Sequence, residues 1–247
     1  MDNTLTLPAP ADVPRPAARS ASAISGFFAY HGVWAPGVRL FRQLAFRWKA
    51  AIISGLFAVP IAVLAVSFMQ AKADAIGFSA KERDGVAYLR EALPLLLLAE
   101  QLRIETLHAA AKGGTPADGT RLVSEIGERL KKIDAVEARH GAGLGTAAQL
   151  AAVKATGAAA AAARGDLASL FRAHGAHSAA IVALITQATD GSNLTLDPDI
   201  DSYYLMDGSL FVLPAMMESV GQLASVGGAA AASGKPVPAE LHKPIAM

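Results

Sequence analysis

The chain has 247 residues, a formal net charge of +1 and no cysteine. The near-neutral charge gives no global basic field of the kind that nucleic-acid-binding proteins use, and the lack of cysteine excludes disulfides, thiolate zinc sites and cysteine nucleophiles. Apolar residues make up 53% of the chain and charged residues only 17%, a balance that favours a helical protein with a membrane segment over a disordered chain.

Residues 1–49 are predicted to form a cytoplasmic N-terminal segment. Its first part, residues 1–23, is proline-rich and predicts a flexible lead, whereas residues 27–49 mix aromatic rings with arginines. Such a mixture is typical of the headgroup level of a membrane. It also occurs in proteins that bind single-stranded nucleic acid, but the apolar run that follows favours the membrane.

Residues 50–69 contain no charged side chain and predict a transmembrane helix. At 1.5 Å per residue the run is about 30 Å long, which matches the hydrocarbon core of a bilayer. The cations directly before it mark the cytoplasmic side, so residues from 70 onward are expected outside. A cleaved signal peptide is one alternative, although the run is longer than the apolar core of such a peptide and begins unusually far from the N-terminus. A buried helix of a soluble protein is the other.

Residues 70–230 predict an antiparallel four-helix bundle, so the expected fold class is all-α with one transmembrane helix. The four helices are expected within 76–112, from about 115, over 147–189 and from about 199. Pro94 predicts a kink or a division of the first helix, and residues 231–247 predict a disordered tail. The expected seam of the last helix consists of residues at alternating steps of three and four: Tyr203, Met206, Leu210, Leu213, Met217, Val220 and Ala224.

The stretch DGSNLTLDPDIDSYYLMD at 190–207 is unusually acidic. Asp197, Asp199 and Asp201 match the first three ligand positions of an EF-hand loop. However, Ser202 and Gly208 stand where that loop needs its glycine and its bidentate glutamate. We therefore predict no metal site here.

A helix start explains most of these acids. Asp197 is predicted to cap the helix, Pro198 to occupy its first position, and Asp199 to favour the positive end of the helix dipole. Capping leaves Tyr203 and Tyr204 unexplained.

A small polar pocket between helices is one explanation for the two tyrosines. Tyr203, Tyr204 and Asp207 would line it, and Arg103 would bind an anion there. The alternative is that the two rings only cover the end of the core, with their hydroxyls in water.

His174 and His177 lie three residues apart on one predicted helix. Without nearby acids on that helix they are expected to be core or rim residues and not a metal pair. No nucleophile–histidine–acid order, P-loop or HExxH motif is present, so the sequence predicts a non-enzymatic protein without a cofactor.

Three stretches together resemble the N-terminal sensory region of bacterial methyl-accepting chemotaxis proteins, a group shared with some diguanylate cyclases and sensor histidine kinases. They are residues 27–65, residues 76–96, and SNLTLDPDIDSYYLMD at 192–207. The resemblance implies a periplasmic bundle between two spanning helices, followed by a HAMP segment and a cytoplasmic coiled coil that contacts a kinase and an adaptor. Ligand or partner binding in such receptors shifts one helix slightly.

The chain departs from this pattern in two places. It has no evident second spanning helix or signalling domain, and where relatives often have QHRG it reads EQLRIETLH, which keeps only Arg103. We expect a truncated sensory module in the bacterial inner membrane that dimerises and binds a small molecule or a periplasmic protein. The kinase and the adaptor would be partners of a full-length form alone. The alternatives are a structural or interaction protein of the inner membrane, and the sensor half of a diguanylate cyclase or histidine kinase.

Overall fold

The computed structural model describes residues 32–196, 200–237 and 239–241. Every regular element within these residues is helical, which confirms the all-α class. The predicted cap residues Asp197, Pro198 and Asp199 lie outside the described residues, as does the predicted flexible lead. The helices in chain order are α1 (Ala35–Gln43), α2 (Phe46–Ala111), α3 (Gly119–Val136), α4 (Ala147–Ala162), α5 (Leu167–Gly191), α6 (Ile200–Asp207) and α7 (Leu213–Ser233).

Shorter turns connect several of these helices. Two are π-helical, Glu137–Gly141 after α3 and Gly208–Val212 between α6 and α7. Three are 3-10 turns: Gly32–Trp34, Leu194–Leu196 and Ala239–Leu241. One, Ala142–Leu144, is a single α-helical turn.

The chain divides into two compact units, residues 1–70 and 71–247. The described part of the first unit consists of α1 with its preceding turn and the beginning of α2. α1 has proline in its first turn, where no amide donor is needed, and it ends before Leu44, whose backbone is extended (φ −70°, ψ 142°). In the first unit, the side chains of α2 from residue 56 onward are exposed.

Within the described residues, two helical stretches are long and apolar enough to cross a membrane, judged by length and composition. The first is α2, which contains the predicted span at 50–69; an 18-residue segment of it has a mean hydropathy of 2.4 and no buried residue. The second runs over Ile200–Ser233, and an 18-residue segment of it has a mean hydropathy of 1.3 and is 22% buried. Only one such stretch is expected from the sequence. Together they support association with a membrane.

The core of the second unit is built on one face of α2. This helix continues through Pro94, so the predicted division does not occur. Its buried residues pack against α3, α4 and α5 in a larger cluster and against α5 and α7 in a smaller one. The fully buried side chains of the larger cluster include Tyr88, Leu95, Leu96, Ile133, Val153, Ile181, Leu184 and Ile185.

The helix predicted over 147–189 is a helical hairpin. It breaks after α4, where Ala163 is extended (ψ 135°) and Gly165 has a positive φ of 123°. Asp166 then caps α5 by accepting a hydrogen bond from the backbone N–H of Ser169 at 2.8 Å. The break was not predicted, because it comes at the end of an alanine run and alanine favours a helix.

The buried face of α7 is shifted by one residue from the predicted seam. Met206 is buried as expected, but farther along the helix Pro214, Gly221 and Ser225 are buried in place of their neighbours Leu213, Val220 and Ala224. The π-helical turn at Gly208–Val212 accounts for the shift, because it adds one residue to the helix.

The C-terminal segment also differs from the expected disordered tail. α7 extends to Ser233, and Gly234 ends it in a left-handed conformation with φ 65°. The turn Ala239–Leu241 follows, and its Leu241 is buried in the smaller cluster beside Leu107 and Phe171. Residues 238 and 242–247 lie outside the described residues.

A polar network ties α2 to the end of α3. The buried Tyr88 hydroxyl donates to Oε2 of Glu137 at 2.8 Å, and the hydroxyl of the buried Thr146 donates to the same oxygen at 2.6 Å. Burial raises the pKa of Tyr88, and the hydrogen bond to Glu137 acts in the same direction, so the phenol keeps its proton.

Replacing Tyr88 with phenylalanine removes the hydroxyl and leaves the Glu137 carboxylate with one donor fewer. We expect the free energy of unfolding to fall by about 1.5–3 kcal/mol, the usual contribution of a hydrogen bond to a charged group. Chemical denaturation of the full chain in detergent micelles measures this. Tyr204→Phe is the matched control, because Tyr204 is 68% exposed. Equal losses in both variants would contradict the assigned role of the network.

Candidate functional site

A fully buried arginine lies in the interior of the second unit. Arg103 is 0% exposed, and its Nη1 donates to both carboxylate oxygens of Glu100, one turn earlier on α2, at 3.4 Å. Its guanidinium carbon lies 4.5 Å from the centroid of the Phe171 ring on α5. Nε and Nη2 have no hydrogen-bond partner among the described residues. Two buried cationic N–H groups thus lack an acceptor, and a buried donor without a partner is strongly destabilising.

Arg103 forms part of the wall of a cavity of about 610 Å³. This volume lies within the usual range of small-molecule sites. α2, α5 and its capping residue, α7 and the C-terminal turn all contribute to the wall, which consists of Arg103, Asp166, Ala168, Phe171, Arg172, Gly175, Glu218, Gln222, Glu240 and Leu241.

The charges around the cavity belong to both signs. Arg103 and Arg172 line it together with three carboxylates. One of these, Glu218, already accepts a hydrogen bond from the Gln222 amide at 3.3 Å. Burial lowers the pKa of Arg103 while Glu100 and Glu218 act against that change; arginine nevertheless stays charged. Burial also raises the pKa of Glu100, and the Arg103 guanidinium opposes that rise.

A close helix contact holds Glu100 in place. Gly221 of α7 is buried directly over the Glu100 carboxylate, and a Cβ atom built on that glycine would overlap carboxylate oxygen Oε2. Only a residue without a side chain lets α7 approach so closely. The contact places Glu218 and Gln222, the neighbouring residues of α7 that line the cavity, near Arg103.

Of the four residues predicted to bind a ligand, only Arg103 lines this cavity. Tyr203 and Tyr204 lie on α6, where their rings meet edge to face with centroids 5.9 Å apart, and they are 40% and 68% exposed. Asp207 is half-buried at the end of α6. Tyr204 precedes Glu218 by fourteen residues, about 21 Å along a helix, so the described residues do not bring the tyrosines to Arg103.

The two histidines lie close to the cavity on α5. Both are buried; Nδ1 of His177 is 3.3 Å from the Thr156 hydroxyl of α4, and the charge of Arg103 acts on His174. Burial, with smaller contributions from His177 and Arg103, lowers the pKa of His174 to about 4, and burial lowers that of His177. Among the described residues, no group of three or more metal-ligating side chains is placed to hold an ion.

Sequence patterns could have located more of this site. Leu89, Leu96 and Leu107 share one face of α2, and Glu100 and Arg103 fall on that same face, so a pair of opposite charges interrupts a buried stripe. A charge on such a stripe needs a partner and therefore indicates either an internal ion pair or a ligand site. Phe171, Glu218 and Gln222 carry no comparable signal.

Acidification is expected to destabilise the second unit through His174. The folded pKa of about 4 lies below the ordinary value of 6.5, so the unfolded chain binds the proton more readily. The free energy of unfolding therefore decreases as the pH falls from about 6.5 towards 4, by up to about 3 kcal/mol from this residue. Glu100 acts in the opposite direction. Burial raises its pKa in the folded state, so its protonation at low pH increases the free energy of unfolding.

Comparing His174→Gln with the wild-type chain isolates the histidine. We expect the melting temperature of the variant to change less over this pH range than that of the wild type. His108→Gln, a substitution of a half-buried histidine on α2, is the control and should keep the wild-type slope. An unchanged slope in His174→Gln would show that the residue takes up its proton equally in both states.

Comparison with known proteins adds no relative. The chain matches no family model, no curated protein and no solved structure. The likeness to chemotaxis receptors therefore rests on the three stretches of sequence, and the cavity around Arg103 rests on its own geometry.

Proposed function

We propose that the chain is a membrane-anchored sensory module of the chemoreceptor type, with the cavity between α2, α5 and α7 as its ligand site. The ligand is a small molecule that carries a carboxylate or another oxyanion. The unpartnered Nε and Nη2 of Arg103 are the observation that carries this proposal. They form two adjacent donors of a planar fork, which suits the paired oxygens of a carboxylate or a phosphate.

The surrounding side chains support a ligand with a polar second end. An anion alone would meet Arg103 and Arg172 but would also lie near Glu218 and Glu240. A molecule with an oxyanion at one end and a hydroxyl or ammonium group at the other would satisfy both groups of residues. Phe171 adds an apolar wall beneath the guanidinium.

In this proposal α2 carries the signal. Arg103 and the apolar stretch at 50–69 belong to the same continuous helix. Closure of the cavity around a ligand would shift α2 against α5 and α7, in the manner of the small helix displacements that signalling proteins use. In this proposal the second unit is a variant of the expected four-helix bundle, in which α4 and α5 together occupy the sequence of the expected third helix.

The proposed location is the bacterial inner membrane, with the second unit in the periplasm. Four cations, at positions 39, 42, 47 and 49, precede the first apolar stretch, and no acidic residue occurs between 13 and 73. This asymmetry favours a cytoplasmic N-terminus.

A structural or interaction protein is the second candidate, and one surface favours it. α6 and α7 expose a row of large apolar side chains, each close to half exposed or more: Leu205, Val212, Leu213, Met216, Val220 and Leu223. Contact with a second copy of the chain or with another membrane protein would cover this row. A homodimer is compatible with both candidates.

A ligand screen tests the sensory proposal. The full chain in detergent micelles is heated with a panel of small carboxylates and phosphates, some with an added hydroxyl or ammonium group. We expect at least one compound to raise the melting temperature, because a ligand at about one hundred times its dissociation constant stabilises the folded state by about 2.7 kcal/mol.

Gly175→Val is the variant that connects such a compound to the cavity. Gly175 lines the wall, and a Cβ atom there would lie 3.6 Å from Nη2 of Arg103, in ordinary contact. The added methyl groups would occupy ligand space, so we expect binding to weaken at least about tenfold, or about 1.4 kcal/mol. Gly127→Val on α3 is the matched control, since no atom lies within 4 Å of its Cβ position.

Two results would oppose the sensory proposal. One is a panel in which no compound stabilises the wild-type chain; the other is a compound that binds Gly175→Val as well as it binds the control. The first, combined with cross-links through the apolar row of α7, would favour the interaction protein.

Topology is tested with alkaline phosphatase, which is active only after export. A fusion after residue 150 should be active in intact bacteria, and a fusion after residue 45 should be inactive, because the charge asymmetry keeps the N-terminal segment inside. The reverse pattern would overturn the proposed orientation without affecting the ligand site.

A further inference from the structure

Helix α1 is amphipathic and lies directly before the apolar stretch of α2. At 100° per residue, Trp34 of the preceding turn and the large apolar residues of α1 fall in one arc of about 160°, and the polar residues fall in the other. The apolar arc contains Trp34, Val38, Leu40 and Phe41, and the polar arc contains Arg39, Arg42 and Gln43. Trp34 is 78% exposed, and Leu40 is also largely exposed, so the described part of the chain leaves much of the apolar arc uncovered.

The charge of this region has one sign. Arg39, Arg42, Arg47 and Lys49 lie within eleven residues, and the neighbouring sequence from 13 to 73 contains no acid. These clustered cations create a local positive field although the whole chain carries only +1.

α1 is a separate helix and not the first turns of α2. Leu44 leaves helical geometry with ψ 142°, and Lys49 of α2 lies 5.9 Å from the centroid of the Phe41 ring. A break between a short amphipathic helix and an apolar one lets each take its own orientation. Trp34 and Trp48 lie on either side of α1, and tryptophan prefers the level of the headgroups.

We propose that α1 lies in the membrane surface and binds the headgroups of anionic phospholipids. The apolar arc enters the boundary between headgroups and acyl chains, and Arg39 and Arg42 face the phosphates. Continuity with an apolar stretch that is unburied in the structure favours lipid over nucleic acid as the occupant. This surface is independent of the Arg103 cavity, so either proposal can fail alone.

The two tryptophans make the test specific, because the chain contains no others. In Trp48→Phe the fluorescence reports on Trp34 alone. The full-length variant is reconstituted in vesicles of phosphatidylcholine or of an equal mixture with phosphatidylglycerol. We expect the anionic vesicles to shift the Trp34 emission to shorter wavelength, to lower its quenching by acrylamide and to increase its quenching by brominated lipid. Trp34→Phe leaves Trp48 as an internal control, which should be shielded in both lipids.

Charge variants on the Trp48→Phe background test the role of the cations. Each cation at an anionic surface contributes about fivefold to binding, so Arg39→Glu with Arg42→Glu should lower the ratio of bound to free α1 well over tenfold. Lys131→Glu with Lys132→Glu, two exposed positions of α3, is the matched control and should leave it unchanged. Raising the salt from about 0.1 M to about 1 M should also release Trp34, since the screening length falls from about 10 Å to about 3 Å.

Three results of the lipid experiments would overturn the proposal. The first is that Trp34 stays equally exposed in both lipids, and the second is that it is shielded equally in both. The third is that the reversal of Arg39 and Arg42 has no more effect than the control. A single-stranded oligonucleotide that shields Trp34 where phosphatidylglycerol does not would identify nucleic acid as the occupant and would also overturn it.

Discussion

The buried pair of Glu100 and Arg103 is the constraint around which the second unit is arranged. Two opposite charges on the packing face of α2 must be matched inside the protein, because removing one partner of a buried pair costs about 3–5 kcal/mol. Phe171 supplies a ring for the guanidinium, and the bare backbone at Gly221 supplies room for the carboxylate. Phe171 lies on α5 and Gly221 on α7. The pair therefore fixes how α5 and α7 are placed against α2.

This matching is incomplete. Glu100 occupies only Nη1 of the guanidinium, and Nε and Nη2 have no hydrogen-bond partner among the described residues. Arg103 also lines the cavity that α7 and the C-terminal turn help to enclose. Proteins satisfy nearly all of their buried polar groups, and each exception calls for an explanation, of which a bound ligand is one. The charge of Arg103 therefore organises the packing and also leaves two donors without an acceptor.

The class of the fold could be predicted from the sequence because helical periodicity and the apolar run are local signals. The helix expected within 76–112 is present as part of α2. Long-range features were not accessible. The break at Ala163 lies within an alanine run, the π-helical turn moves the seam of α7 by one residue, and the meeting of Arg103 with Glu218 depends on that moved seam. Tyr203 and Tyr204 were predicted to line a pocket because capping did not explain them, but both lie on the surface.

The π-helical turn at Gly208–Val212 sets which face of α7 is buried. Regular α-helical geometry there, with the same sequence, would rotate everything that follows by about 100°, which would turn Val220 towards Glu100 and turn Gly221 away. Both faces are apolar enough to be buried, and only the face with glycine, serine and alanine leaves space for a carboxylate. One backbone insertion therefore decides whether the interior of this unit accommodates a charge or closes as a purely hydrocarbon core.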